Sequence, residues 1–185
     1  MIYPIVAYGD PVLKKKALPI EKGSLDVKKL SEDMFETMYQ ANGVGLAAPQ
    51  IGKSLRMFVV DAKSLQEDKD VEPFKRVFIN PEIIEETGAE WPFEEGCLSI
   101  PGIREQIFRN EKLTIRYVDE NWNEKEETLD DVLARIVQHE YDHIEGILFT
   151  DYLSGFKRRL LKGKLSNISR GNVDIDYRMV FPVKK

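Results

Sequence analysis

The chain has 185 residues, 42% hydrophobic and 32% charged, which suits one globular domain over 1–185 with a sizeable core. Its formal net charge of −5 argues against nucleic acid as the main ligand, because phosphate binding needs a net basic surface, so no DNA partner is expected. No segment approaches the roughly 20 apolar residues of a membrane span.

The opening MIYPIVAYGDP lacks the basic leader and apolar run of a secretory signal, and the single cysteine, Cys97, cannot form an internal disulfide. A reducing, cytoplasmic setting is expected. In chain order, Val27, Leu30, Met34, Met38 and Ala41 recur at helical steps and predict an amphipathic helix over 24–41, stopped by Asn42 and Gly43. β-type runs follow at 56–60, 77–80 and 113–118. The charged, aperiodic stretch 63–73 reads as an exposed loop.

A second helix is predicted over 129–145, with Thr128 as its cap, Asp130 and Asp131 at its positive end and Gly146 at its exit. Residues 153–165 read as a short basic turn or helix, whose Lys157, Arg158, Arg159, Lys162 and Lys164 suit a solvated face. The tail 173–181 alternates like an edge strand. The expected architecture is α+β, with short, mostly antiparallel β-sheets wrapped around a central helix.

That central helix carries the chemistry. The chain's two histidines, His139 and His143, stand four apart with Glu140 after the first, an H-E-x-x-H pattern. An i, i+4 pair projects from one helical face, so both imidazoles can reach one metal ion. Glu140 lies about 100° round the helix from His139 and about 60° from His143, within reach of a water on that metal. A pair on a solvated face is the plainer alternative.

A catalytic centre of this kind usually has three protein ligands and one open position. The extended pattern with a third histidine fails, because its last position is Phe149, and no glutamate follows Glu145. Cys97 remains. Alone it would read as a small buried residue, but its thiolate is a strong metal ligand.

Three motifs now stand in order: G-V-G-L-A-A-P-Q at 43–50, E-G-C-L-S at 95–99 and Q-H-E-Y-D-H at 138–143. With the opening I-V-A-Y-G-D-P-V-L at 5–13, they make the chain resemble the peptide deformylases almost throughout, to about residue 153. The resemblance implies that Cys97, His139 and His143 bind one divalent metal, ferrous iron in the cell, with nickel, cobalt or zinc able to substitute. It implies hydrolysis of the formyl group from N-formylmethionyl peptides by a metal-bound water, with Glu140 as general base and acid.

Gln50 and the backbone N–H of Leu98 would stabilise the oxyanion. Val44 and Val132 would wall a methionine pocket, and Gly45 and Gly96 would contact the peptide backbone. Glu95 and Arg104 would form a supporting ion pair. Arg135 stands where apolar residues are common in the family, and would rim the methionine pocket or snorkel to solvent. The alternating tail departs from forms that end in a long helix, leaving the basic cluster at 157–164 as the candidate for a transient ribosome contact. Two rival readings are a peptidase cutting ordinary peptide bonds and a catalytically silent ribosome-associated binding protein.

Overall fold

A computed structural model describes residues 1–65 and 73–182. Its element order is β1 (Ile5–Val6), α1 (Val27–Gln40), β2 (Gly45–Ala47), β3 (Met57–Asp61), β4 (Lys75–Cys97), β5 (Ile100–Val118), β6 (Glu124–Asp130), α2 (Asp131–Glu145), α3 (Gly155–Ser169) and β7 (Met179–Val180). Five strands form one antiparallel sheet in the order β2-β3-β4-β5-β6. β1 and β7 pair in parallel as a separate ribbon. The α+β class is as the sequence predicted.

α1 begins where Asp26 accepts from the Lys29 backbone N–H at 3.0 Å, satisfying one of the helix's orphan donors. Its apolar stripe, Leu30, Met34 and Met38, buries against Leu46, Met57 and Val59. α2 packs on β2, β3, β5 and β6, so the H-E-x-x-H helix is held by most of the sheet. Gly146 closes α2 in the left-handed region, φ 76°, and a Cβ there would come within 2.8 Å of the Lys14 backbone.

Several expectations need correction. Thr128 does not cap α2: it is still in β6, its hydroxyl 3.0 Å from that of Thr114. The strand runs directly into the helix, and Asp130 stands at the cap position without a side-chain cap bond. The basic segment expected as a short turn or helix over 153–165 is helical, but as α3 it has 15 residues and runs on to Ser169, capped by Ser154 and anchored by Leu165 and Ile168. The tail does alternate in burial, but only Met179–Val180 ladders, because its partner β1 is itself two residues long. Of the loop expected at 63–73, Lys63–Leu65 forms a 3-10 turn and residues 66–72 lie outside the described residues.

The β4–β5 hairpin is far longer than the predicted runs. At about 3.3 Å per residue, the 23 residues of β4 would span roughly 75 Å if straight. A domain of this size has a radius of gyration of only about 16 Å. Register breaks between Ile79 and Glu82, Ile83 and Glu85, and Thr87 and Glu90 bend the ribbon. A further break between Gly96 and Cys97 precedes the closing pair Cys97 and Ile100, leaving Leu98 and Ser99 as the turn. The hairpin tip and the α2 face thereby meet.

Candidate metal centre and active site

Cys97 Sγ and one ring nitrogen each from His139 and His143 lie within 4.8 Å of one another. Cys97 Sγ is 3.3 Å from His143 Nε2. The two histidines come from one face of α2, and the thiol comes from the hairpin tip. One soft sulfur with two imidazoles is a donor set for a transition-metal ion, so the residues fit the expected group.

The surroundings fix which atoms are free. His139 Nδ1 donates to Glu95 Oε2 at 2.9 Å, which leaves its Nε2 for a metal. Burial opposes charge on both rings. For His139, hydrogen bonds with Cys97 and Glu95 outweigh burial and raise its pKa, whereas His143 falls well below the usual histidine range. Phe149, at the position where an extended motif would carry its last histidine, stacks on His139 with ring centres 6.2 Å apart.

Glu95 is almost fully buried and takes more than one cation. Arg109 grips both its oxygens at 2.7 and 3.1 Å, and Arg135 Nη1 reaches Oε1 at 3.1 Å. Burial raises the carboxyl's pKa, but bonds from His139 and Arg109 outweigh that and hold it well below the usual range. Arg109 also donates to Asp142 at 2.8 Å, and the Tyr152 hydroxyl donates to the same oxygen at 2.8 Å.

Two expectations fail here. Arg104 pairs with Glu94 at 2.9 Å and not with Glu95, because alternate β4 side chains face opposite sides and Glu95 points inward. Arg135 neither rims a pocket nor snorkels. It is 2% exposed, donates to the carbonyls of Ile107 and Trp91, and stacks beneath the Trp91 ring at 4.8 Å. The Glu95 carboxylate gives its charge an inward partner.

Glu140 is buried, and its Oε2 has no partner among the described residues. Burial pushes its carboxyl up to about 7, against the pull of His139's charge. Gly45 makes room for it: a Cβ there would lie 2.7 Å from the Glu140 carboxyl carbon. At Gly96 a Cβ would meet only the exposed end of Arg104, Nη1 at 2.8 Å, which can swing away. Val44 and Val132 are half-buried on one apolar cluster with Leu129 and Ile136.

Gln50 is buried with its orientation set. Its Oε1 accepts from the Ala47 N–H at 2.9 Å, which turns its Nε2 toward Cys97 Sγ at 3.4 Å and Ser99 Oγ at 3.3 Å. Leu98, between those two residues, has its carbonyl held by the Tyr177 hydroxyl at 2.7 Å. Burial, with the Cys97 charge nearby, pushes that phenol up to about 12, so it donates at neutral pH.

A sequence model of the family described as polypeptide deformylase matches residues 2–159. The chain belongs to this family. The peptide deformylase of Cytophaga hutchinsonii is 63% identical over 185 residues, covering 100% of both chains. That of Christiangramia forsetii is 54% identical over 193 residues, covering 100% of this chain and 98% of its own. The crystal structure of a peptide deformylase from Legionella pneumophila matches with TM-score 0.80 and 43% identity, over 90% of this chain and 95% of that one. The Ehrlichia chaffeensis peptide deformylase in complex with actinonin matches with TM-score 0.82 and 36% identity, over 90% and 96%.

Polypeptide deformylases are metal-dependent enzymes that remove formyl groups from nascent peptides, and membership places this chain among them. Sequence reasoning missed Arg109, Asp142, Tyr152 and Tyr177 in this deformylase. Asp142 had one signal, an acid inside a helix otherwise turned to the core. Arg109 and Tyr177 had none, since their partners lie in other elements.

Proposed function

We propose that the chain hydrolyses the formyl group from the N-terminal formylmethionine of newly made polypeptides at the Cys97, His139 and His143 cluster. The observation that carries this reading is the pairing of that cluster with Glu140, buried beside His139 and unpartnered on one oxygen among the described residues. One divalent ion held by Cys97 Sγ, His139 Nε2 and His143 Nε2 would polarise the formyl carbonyl and activate the attacking water. We assign ferrous iron in the cell, with nickel, cobalt or zinc as substitutes.

Glu140 takes a proton from the attacking water and returns it to the departing amine nitrogen. A buried carboxylate with one oxygen free of other partners among the described residues is available for both transfers. Gln50 Nε2 and the Leu98 N–H lie on the Cys97 side of the cluster and bind the oxygen as negative charge develops on it. β2 pairs on one side only, with β3, and we assign the backbone at Val44 and Gly45, together with Gly96, to the binding of an extended peptide. Val44 and Val132 line the methionine pocket.

The encounter takes place in the cytoplasm, near the ribosome. Among the described residues no helix is long and apolar enough to cross a membrane. On α3, Arg158, Arg159 and Lys162 line an open cavity of about 670 Å³. Their charge suits a brief, salt-sensitive contact with ribosomal phosphate.

The test is hydrolysis of formyl-Met-Ala, acetyl-Met-Ala and free Met-Ala by anaerobic, iron-loaded protein. Rapid release of formate with the acetyl peptide intact is expected. Cleavage of the ordinary peptide bond at a comparable rate would favour a peptidase, and no turnover at full metal occupancy would leave a silent binding protein.

A further inference from the structure

The chain beyond α3 reaches back to the hairpin tip. Val173, Ile175, Tyr177 and Met179 are half-buried, while Asp174, Asp176 and Arg178 are exposed. The Met179–Val180 ladder with Ile5–Val6 fixes the tail just after Tyr177, and the Arg178 carbonyl accepts from the Ile5 N–H at 2.8 Å. The Tyr177 ring packs on the apolar cluster around Met38 and Leu46, to which Leu98 also belongs. Its hydroxyl is thus aimed by a ladder on one side and by packing on the other.

That hydroxyl meets the tightest part of the site. Leu98 and Ser99 are the whole turn between the paired residues Cys97 and Ile100. Ser99 is held from both sides, its hydroxyl accepting from Gln50 Nε2 at 3.3 Å and its carbonyl accepting from the Tyr8 N–H at 2.9 Å. The Leu98 carbonyl is held by Tyr177 at 2.7 Å. With Cys97 paired to Ile100, only a few φ/ψ combinations close a turn of two residues. Holding the Leu98 carbonyl therefore also narrows the orientations open to the Leu98 N–H.

We infer that Tyr177 is a positioning residue: its hydrogen bond to the Leu98 carbonyl holds the Leu98 N–H in the orientation that meets the developing oxyanion. The inference rests on the proposed role of that N–H. It makes the C-terminal tail a strap that acts on the hairpin turn through the Leu98 carbonyl. A preorganised donor stabilises the transition state more than the bound substrate, so loosening it should appear in kcat more than in KM.

Tyr177→Phe keeps the ring and removes only the hydroxyl. In the metal-loaded full-length protein we expect kcat to fall about tenfold with KM within about twofold, less than the 10²–10³-fold that follows outright loss of such a donor. Hydrogen exchange at the Leu98 amide should rise about fivefold or more, with α2 amides unchanged. A phenol that merely adds stability would move neither reading, so a kcat within about twofold of wild type overturns the inference. Slowed turnover with unaltered Leu98 exchange overturns it too, because the effect would then travel by another route. Should the unsubstituted protein fail to hydrolyse formyl peptides, the proposed function falls, while the exchange comparison still decides whether Tyr177 holds the turn.

Discussion

Glu95 Oε2 and His139 Nδ1 lie 2.9 Å apart across 44 residues of sequence, joining the hairpin tip to the face of α2 that carries both histidines. The bond fixes the imidazole's tautomer and orientation, and the arginines behind Glu95 fix the carboxylate. Glu95→Gln should weaken metal binding about 10–100-fold, the usual effect of removing a partner behind a ligand. Competition with a chelator in the metal-loaded protein measures this directly. Unchanged affinity would mean that packing against Phe149 orients His139 without the carboxylate's help.

Gly45→Ala isolates a steric requirement. Its new methyl would stand 2.7 Å from the Glu140 carboxyl carbon, so the carboxyl must move. Misplacing a reacting group by about 1 Å costs on the order of 10²-fold in rate. We expect kcat to fall by that order while metal affinity stays near wild type, since no ligand is displaced. Steady-state kinetics with parallel metal analysis separates the two effects.

Arg135→Leu should destabilise the fold by about 3 kcal/mol, in the range for breaking a buried pair. The loss removes one cation from Glu95 and two donors from the carbonyls of Ile107 and Trp91. Urea denaturation of the metal-free protein gives the value. A change within about 0.5 kcal/mol is what a surface arginine would produce.

Asp119 supplies a pH-dependent contribution far from the centre. It accepts from the Asn121 and Asn123 backbone N–H groups at 2.8 and 3.0 Å, tying the β5–β6 turn. Burial raises its pKa, but those bonds, led by Asn123, outweigh it and lower the pKa overall. Its folded pKa is thus below its unfolded one, so its stabilisation is fully present above about pH 4 and is lost as pH falls through the folded pKa. Asp119→Ala should cost about 1 kcal/mol at pH 7, with the gap to wild type closing toward low pH. A gap that does not change with pH would contradict this.

How much of this was legible in the sequence depended on whether a residue's partner was local. His139, Glu140 and His143 share one helix and a 3.6-residue period, so their common face could be read directly. Cys97 came from asking what completes the ligand set. Arg135 stood out because the family commonly has an apolar residue there, but its partner Glu95 sits on another element, and the expected solvent or pocket role was wrong. β6 escaped notice because its alternating Glu124, Glu126 and Thr128 face solvent and carry no hydrophobic signal. The length of β4 was hidden by bulges, which break the two-residue alternation that marks a strand.

The most direct measurement compares formate release by wild type and Glu140→Ala, both loaded with cobalt and both checked for full occupancy by their ligand-field spectra. The account predicts equal metal content, matching spectra and a kcat reduced about 10²–10⁴-fold in the variant, the range for losing a general acid–base. A variant that binds metal normally and keeps kcat within about tenfold of wild type would remove Glu140 from the chemistry, and with it the proposed proton transfer.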